Sequence, residues 1–235
     1  MKYAGITSMN QSYYDRCGSN MLNTFKKHWS HLIKLHVYNE DNFSLNDDTF
    51  IEMGWDLGDA YESFQARHKN KRVKTFAKKG FSIIHAMDNI DADRIIWIDA
   101  DTIIKKPFDL AVFGNITQDK FLSSHLQVWH NKNDIDYYSC ETGFFVLNTR
   151  HKGYKEFCDT YKDIYYNDKR EGMRRFYDGE IYGKTVQAMH SRNFKMYNMT
   201  YGDRVKTPVP RSQLAPFIEH NKAGLKERID YDLVQ

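Results

Sequence analysis

Asp93-Arg-Ile-Ile-Trp-Ile-Asp-Ala-Asp-Thr-Ile-Ile-Lys-Lys-Pro107 is the stretch of this sequence from which the fold can be worked out. Its apolar run, Ile95 to Ile98, predicts a short strand that is buried on both faces, as in a parallel sheet. Two carboxylates, Asp99 and Asp101, follow directly and are separated only by Ala100. Residues two apart on an extended backbone point the same way, so both carboxylates are expected to face one point at the strand's carboxyl end.

Two carboxylates in this position predict an active-site edge. They suit a hard divalent cation, which commonly brings phosphate groups with it, and open α/β sheets bind their ligands at the carboxyl ends of strands. The simpler alternative is a polar turn after a core strand, because Asp-x-Asp occurs by chance in many chains. The buried-type run before Asp99 and the Thr-Ile-Ile after Asp101 favour a site.

The composition describes one globular domain, with room at most for a small appended lobe. The chain has 235 residues, of which 41% are hydrophobic and 28% charged. The net charge of +3 is too small to indicate nucleic-acid binding, although a modestly basic pocket for an anionic ligand remains compatible with it.

The three cysteines and the hydropathy pattern favour a cytoplasmic location. The cysteines lack Cys-x-x-Cys spacing and cannot all pair, so reduced thiols are expected. The first residues lack the apolar run of a signal peptide, and no later stretch is long enough to span a membrane.

The N-terminal segment predicts a β-α-β unit. Tyr3 to Thr7 has the pattern of a strand, Asp15 to Trp29 that of an amphipathic helix, and Leu32 to Tyr38 that of a second strand. A strand, helix and strand within forty residues indicate a parallel sheet with a crossover helix, and hence an α/β fold. No regular element is predicted for Phe43 to Asn70.

A basic run precedes the Asp99 strand. Arg67 to Lys79 carries eight basic residues, and a helix is predicted from Val73 to Met87. A solvated helix face would explain such a run. The run directly precedes the strand that ends in the proposed metal ligands, which favours Lys74 and Lys79 as residues that bind a pyrophosphate.

The second half of the chain continues the alternation of strands and helices. A short helix is expected directly after Pro107. The remaining predicted elements are strands at Phe121–Val128, Glu141–Thr149, Phe194–Tyr197 and Phe217–His220, a polar turn at Asn131–Tyr138, helices at Gly153–Tyr166 and Asp178–Met189, and a charged tail at Gly224–Gln235.

Taken in order, these segments resemble the nucleotide-sugar-dependent glycosyltransferases of the GT-A fold. The motifs that carry the resemblance are Ile96-Trp-Ile-Asp-Ala-Asp-Thr102, Glu141-Thr-Gly-Phe-Phe-Val-Leu-Asn148, Asp178-Gly-Glu180 and His220-Asn-Lys-Ala-Gly224. The resemblance implies a single GT-A domain over residues 1–235, with a mostly parallel, Rossmann-like sheet flanked by helices. It also implies a nucleotide-binding half, 1–105, and an acceptor-binding half, 106–235.

The resemblance further implies a reaction and the residues that perform it. The expected activity is metal-dependent, hexosyltransferase-like transfer of a sugar from a nucleoside-diphosphate sugar to a hydroxyl of a glycan, lipid-linked or protein acceptor. The cofactor would be Mn²⁺ or Mg²⁺, and the donor a UDP-sugar or, second, a GDP-sugar. The implied metal ligands are Asp99, Asp101 and His220; the implied catalytic acids are Asp178, Glu141 and Glu180; the implied donor-binding residues are Thr7, Ser8, Lys74, Lys79, Asp99, Ala100, Asp101 and Lys226.

The last motif is similar to the His-x-x-Gly-x-x-Lys segment of glycogenin-like retaining transferases. Here the glycine falls one position later, at Gly224, while Lys226 occupies the place of the family lysine. This departure leaves open whether the sugar would be transferred with retention or inversion. The residues after the second predicted strand, Asn39 to Asp41, are expected to line the base and ribose together with Thr7.

Two other functions are compatible with the same motif. Asp99-Ala-Asp101-Thr also resembles the Asp-x-Asp-x-Thr motif of haloacid-dehalogenase-type phosphatases, in which the first aspartate would be the nucleophile. That motif normally lies near the start of its domain, whereas here a β-α-β unit and a basic helix precede it. A non-catalytic module that binds a nucleotide or glycan would use the same carboxylates.

Overall fold

The computed structural model describes residues 1–107, 114, 120, 122–126, 128–130, 136–138, 140–173, 175–194, 196–201 and 208–221. The strands are β1 Tyr3–Met9, β2 Lys34–Asn39, β3 Ile51–Met53, β4 Arg94–Ile98, β5 Thr102–Ile104, β6 Leu122–His125, β7 Val128–His130, β8 Asp136–Tyr138, β9 Glu141–Asn148, β10 Met196–Asn198 and β11 Ile218–His220. The helices are α1 Gln11–Tyr13, a π-helical turn Tyr14–Gly18, α2 Ser19–His28, α3 Asp59–Arg67, α4 Lys71–Asn89, α5 Tyr154–Tyr166, α6 Asp178–Ser191 and a 3₁₀ turn Val209–Arg211.

The main sheet has seven strands in the order β10-β6-β9-β4-β1-β2-β3. The β1 strand pairs in parallel with both β2 and β4, β2 pairs in parallel with β3, and β10 with β6. Only β9 runs antiparallel to its neighbours β4 and β6 among these described strands. Two short ribbons, β5–β11 and β7–β8, accompany the sheet. This architecture confirms the predicted α/β fold with a mostly parallel sheet.

The β4 strand is buried on both faces, as its apolar run predicted. Its side chains alternate between two cores: Ile95 and Trp97 pack with α4, α5 and α6, and Ile96 and Ile98 pack with α2 and the β5–β11 ribbon. The strand therefore lies at the centre of the molecule. Its carboxyl end, where Asp99 follows, lies between the neighbouring strands β1 and β9.

Several predicted elements differ from the observed ones. The α4 helix begins at Lys71 because the Asn70 side chain caps it, accepting hydrogen bonds from the backbone N–H groups of Arg72 and Val73 at 2.9 and 3.3 Å. The unassigned stretch 43–70 contains both β3 and α3. The strand predicted at 121–128 is present as β6 but ends earlier, at His125, and part of the predicted turn at 131–138 forms β8.

Two predictions fall on residues outside the described ranges: the short helix after Pro107 and the charged tail that contains Lys226. The three cysteines are described and buried, and they form no disulfide, as expected for reduced thiols. Within the described parts of the chain, no helix combines the length and the apolar character that crossing a bilayer requires.

The close packing of α4 against α5 gives a first prediction. Alanine normally stabilises a helix relative to glycine by about 1 kcal/mol, yet a Cβ at Gly80 would lie 2.1 Å from the fully buried Tyr165 side chain. Overpacking of this kind costs about 1–3 kcal/mol, so Gly80→Ala is expected to lower the free energy of unfolding, as measured by urea denaturation. Gly54→Ala, with no atom within 4 Å of the new methyl group, is the control. Equal stability of both variants would contradict this packing.

Candidate active site

The backbone turns sharply where β4 ends. The N–H of Thr102 donates to the carbonyl of Asp99 at 3.0 Å, so the chain does not remain extended through Asp99 and Asp101. The following strand β5 pairs with β11, which sets His220 opposite Thr102, and the N–H of Asn221 donates to the carbonyl of Asp101 at 3.0 Å. A strand from the far end of the chain therefore delivers His220 to this turn.

Asp99, Asp101 and His220 converge at one point. The imidazole Nε2 of His220 lies 3.0 Å from Oδ1 of Asp101 and 3.5 Å from Oδ2 of Asp99. The hydroxyl of Tyr13 donates to the other oxygen of Asp101 at 3.2 Å. The two carboxylates thus face the same point, as predicted, although a turn and not an extended backbone brings them together.

His220 and Lys79 offset part of the negative charge of the carboxylates at this point. Burial alone would lower the pKa of His220, but the hydrogen bond to Asp101 and the charge of Asp99 outweigh it and raise the pKa to about 10. Burial alone would raise the pKa of Asp99, but Lys79 and His220 outweigh this effect and hold the pKa well below that of a free aspartate. At neutral pH a protonated imidazole therefore lies between two carboxylates.

This arrangement fits a divalent cation. One ligand atom from each of Asp99, Asp101 and His220 lies within 4.8 Å of the others. Two carboxylates and one imidazole form a donor set that suits Mn²⁺, and carboxylate oxygens also suit Mg²⁺. The positive charge that His220 supplies between the carboxylates is the charge that a cation at the same point would supply.

Lys79 joins the end of β4 to the start of α6. Its ammonium group donates to Oδ1 of Asp99 at 2.6 Å and lies 3.1 Å from Oδ2 of Asp178. It also donates to the carbonyl and the hydroxyl of Thr142, at 2.8 and 3.1 Å. Burial would lower the pKa of Lys79, but the two carboxylates raise it above the usual value. Lys79 is therefore a fixed cation with a 12% exposed side chain.

Asp178 lies in the first turn of α6, but its carboxylate does not cap that helix. Oδ2 accepts a hydrogen bond from the Thr142 hydroxyl at 2.7 Å in addition to its ion pair with Lys79. The carboxylate of Asp99 is fixed in a similar way, because the indole N–H of Trp97 donates to it at 2.6 Å. Both carboxylates are therefore held in place by neighbouring hydrogen-bond donors.

Residues of this site line two cavities. The first, of about 230 Å³, is lined by residues that include Ser8, Lys79, Asp99, Ala100 and Asp178. It lies between the carboxyl ends of β1 and β4, where the strand order reverses, which is the usual ligand position in an open α/β sheet.

The second cavity, of about 440 Å³, lies on the side of His220 and Glu141. One wall is apolar and includes Val209, Ala215 and Ile218. Asp99 lines the first cavity and His220 the second, and these two side chains lie 3.5 Å apart.

The structure does not bring every predicted residue to these cavities. Thr7 is fully buried inside β1, and its neighbour Ser8 lines the first cavity instead. Lys74 does not line either cavity, unlike Lys79 on the same helix. The carboxylate of Glu180 accepts from the backbone N–H of Arg175 at 2.9 Å, away from both cavities. Lys226 lies outside the described residues.

Sequence reasoning missed several side chains of the site. Tyr13 contacts Asp101 from the helical segment after β1, and no motif in the sequence marks it. Thr142 lies inside the Glu141–Asn148 motif, which does not mark it as a site residue, although its hydroxyl bridges Lys79 and Asp178.

Glu40 lines the first cavity, as expected for the end of β2, and there it pairs with Lys78 at 2.8 Å.

The chain matches no family model, and no curated protein matches it. Solved structures do match. Mouse xyloside xylosyltransferase 1 in its apo form is 10% identical, with a TM-score of 0.57 and coverage of 96% of this chain and 99% of that one. A glycosyltransferase involved in the glycosylation of the major capsid of PBCV-1 is 12% identical, with a TM-score of 0.53 and coverage of 97% and 100%.

A third match is the glycosyltransferase GlyE of Streptococcus pneumoniae TIGR4, at 14% identity and a TM-score of 0.48. The alignment covers 83% of this chain but only 45% of GlyE, so this chain spans less than half the length of GlyE. The two longer alignments cover nearly the whole of both chains and have the same architecture as the sheet described above. This chain therefore has the GT-A fold of glycosyltransferases.

Proposed function

We propose that this protein is a metal-dependent glycosyltransferase that moves a sugar from a nucleoside-diphosphate sugar to an acceptor hydroxyl. The observation that carries the proposal is the convergence of Asp99, Asp101 and His220 beside the Lys79–Asp178 pair, at the point of a GT-A sheet where ligands bind. One half of this arrangement suits a cation with a diphosphate, and the other half suits the sugar.

The first cavity is proposed to bind the donor. All but one of its lining residues come from 1–105, the predicted nucleotide-binding half, and the exception is Asp178. Ser8, Lys79, Asp99 and Ala100 would contact the donor there. A UDP-sugar is the favoured donor and a GDP-sugar the alternative.

The charges of the site suit departure of a diphosphate. A divalent cation, Mn²⁺ or Mg²⁺, would supply Lewis-acid stabilisation of the negative charge that develops on the leaving phosphate. Asp99, Asp101 and His220 are the residues proposed to hold it. Lys79 keeps the carboxylates of Asp99 and Asp178 in place at distances of 2.6 and 3.1 Å, so little reorganisation is needed when the sugar departs.

Asp178 is the first candidate for the acid that faces the donor sugar. Its carboxylate is held by the Thr142 hydroxyl and the Lys79 ammonium group, beside the place proposed for the anomeric carbon of the sugar. In an inverting enzyme the same carboxylate would take the proton of the acceptor hydroxyl. Glu141, which lines the second cavity, is the second candidate acid.

The second cavity is proposed to bind the acceptor. Apart from Lys105, its lining residues belong to 106–235, the predicted acceptor-binding half. Its volume of about 440 Å³ lies within the range of small-molecule sites, and its largely apolar wall is also typical of such sites. We propose a glycan, lipid-linked or protein acceptor, with the reaction taking place in the cytoplasm.

The proposal is tested with a panel of UDP-, GDP-, CMP- and dTDP-sugars and Mn²⁺. The matching donor is expected to raise the melting temperature, because a ligand that binds only the folded state stabilises it, and to be hydrolysed slowly in a reaction that EDTA stops. Binding without turnover would favour a nucleotide-binding module. Hydrolysis of simple phosphate esters that Asp99→Asn abolishes would replace the proposal with a phosphatase.

A further inference from the structure

His220 has a second ring nitrogen that faces away from the two aspartates. While Nε2 faces Asp99 and Asp101, Nδ1 is buried and has no hydrogen bond within the described part of the chain. The nearest carboxylate oxygen on that side is Oε1 of Glu141, at 3.6 Å. The imidazole thus lies between two acids on one side and a third on the other.

The first residues of β9 form a support for this ring. Oε1 of Glu141 is itself oriented, because it accepts a hydrogen bond from the backbone N–H of Gly143 at 3.2 Å. The absence of a side chain at Gly143 leaves room for the imidazole, since a Cβ there would lie 2.6 Å from Cε1 of His220. One strand therefore supplies both the space for the ring and the acid beside Nδ1.

A histidine that binds a cation through Nε2 must carry its remaining hydrogen on Nδ1, and a buried N–H requires an acceptor. A movement of about 0.5 Å would bring the Glu141 carboxylate from its present ion-pair distance into hydrogen-bond range. The same oxygen already accepts a hydrogen bond from the Gly143 N–H, which keeps it on the Nδ1 side of the ring.

We propose that Glu141 is a positioning residue for His220. Its carboxylate accepts a hydrogen bond from Nδ1–H and holds the imidazole so that Nε2 faces the proposed cation site beside Asp99 and Asp101. The proposal rests on the metal dependence of the proposed function but not on the identity of donor or acceptor. It assigns to Glu141 a role different from that of an acid or base acting on the acceptor hydroxyl.

The direct test measures Mn²⁺ binding to the whole chain, without any sugar nucleotide, by the electron paramagnetic resonance signal of free Mn²⁺. Glu141→Leu is expected to weaken Mn²⁺ binding by about 10- to 100-fold, the usual effect of losing the outer partner of a ligating histidine. Glu141→Gln, whose amide oxygen still accepts a hydrogen bond, is expected to lose less. Glu219→Leu is the matched control, because Glu219 lines the same cavity but is exposed on β11, where neighbouring side chains alternate between faces.

Gly143→Ala provides a second, independent variant if Glu141→Leu fails to fold. The added methyl group would displace the ring without removing any charge, so Mn²⁺ affinity is expected to fall here as well. Gly54→Ala, with open space around the new methyl group, should leave Mn²⁺ affinity unchanged. Thermal unfolding curves of all variants show which of them are folded.

Kinetics with the matching donor separate positioning from catalysis. A positioning role predicts a higher Mn²⁺ requirement for Glu141→Leu and a kcat near that of the wild type once Mn²⁺ is saturating. A kcat that stays low at every Mn²⁺ concentration, or a Mn²⁺ affinity equal to that of the Glu219→Leu control, would overturn the inference while leaving the proposed function intact. If the wild type binds no Mn²⁺, the inference and the metal dependence fail together.

Discussion

Lys79→Met is expected to lower the free energy of unfolding by about 3–5 kcal/mol, the usual cost of removing one partner from a buried ion pair. The ammonium group lies 2.6 Å from Asp99 and 3.1 Å from Asp178, and the side chain is only 12% exposed. Methionine retains most of the length and packing of lysine but no charge. Both carboxylates would then remain in a poorly solvated place without their main counter-ion.

Urea denaturation at neutral pH measures this effect, and Lys71→Met at the exposed start of the same helix is the control. Saturating Mn²⁺ is expected to restore part of the lost stability, because a cation bound beside Asp99 replaces one of the two lost interactions. Asp178 would remain without its cation, so the restoration should be incomplete. A loss no greater than that of Lys71→Met would show that the two acids do not depend on Lys79.

Asp101→Ala is expected to reduce donor turnover by at least about 100-fold, since loss of a single stabilising group at a developing negative charge already has that effect. Asp101 contributes one of the two carboxylates of the cation site and also holds the Tyr13 hydroxyl at 3.2 Å. Mn²⁺ affinity should fall more than in Glu141→Leu, because a direct ligand is removed. Initial rates and Mn²⁺ titrations of the same preparations check both expectations.

Asp93→Ala is the matched control for this variant. Asp93 lies directly before the amino end of β4, far along the strand from Asp101. There it pairs with Arg150 at 2.9 Å on the surface. Its removal should leave turnover and Mn²⁺ affinity close to those of the wild type. If Asp101→Ala retains wild-type turnover with the matching donor, Asp101 is not part of the reacting site.

The fold could be predicted to a large extent from local patterns. The β-α-β start, the apolar run before Asp99 and the buried pattern of Glu141 to Asn148 each depend on residues close together in sequence, and all three elements are present. Short elements were missed where tertiary contacts decide them. The three-residue strand β3, for example, exists because its backbone pairs with β2.

The candidate site was predicted in part. The sequence indicated Asp99 and Asp101 because they follow a buried strand, and Lys79 because it lies in a basic run. It did not distinguish Lys79 from Lys74, since both occupy the same helix, and only the packing of α4 directs Lys79 towards Asp99. Thr7 and Ser8 were equally eligible, and the alternation of β1 buries one and exposes the other to the cavity.

By itself, then, the sequence determined the α/β class, the position of the central strand and the two aspartates at its end, because these follow from side-chain periodicity over a few residues. The tertiary structure alone decided which distant groups meet them. The β5–β11 pairing brings His220 across more than a hundred residues, and the start of α6 brings Asp178 to Lys79. Such contacts depend on how strands and helices pack, and no local pattern encodes them.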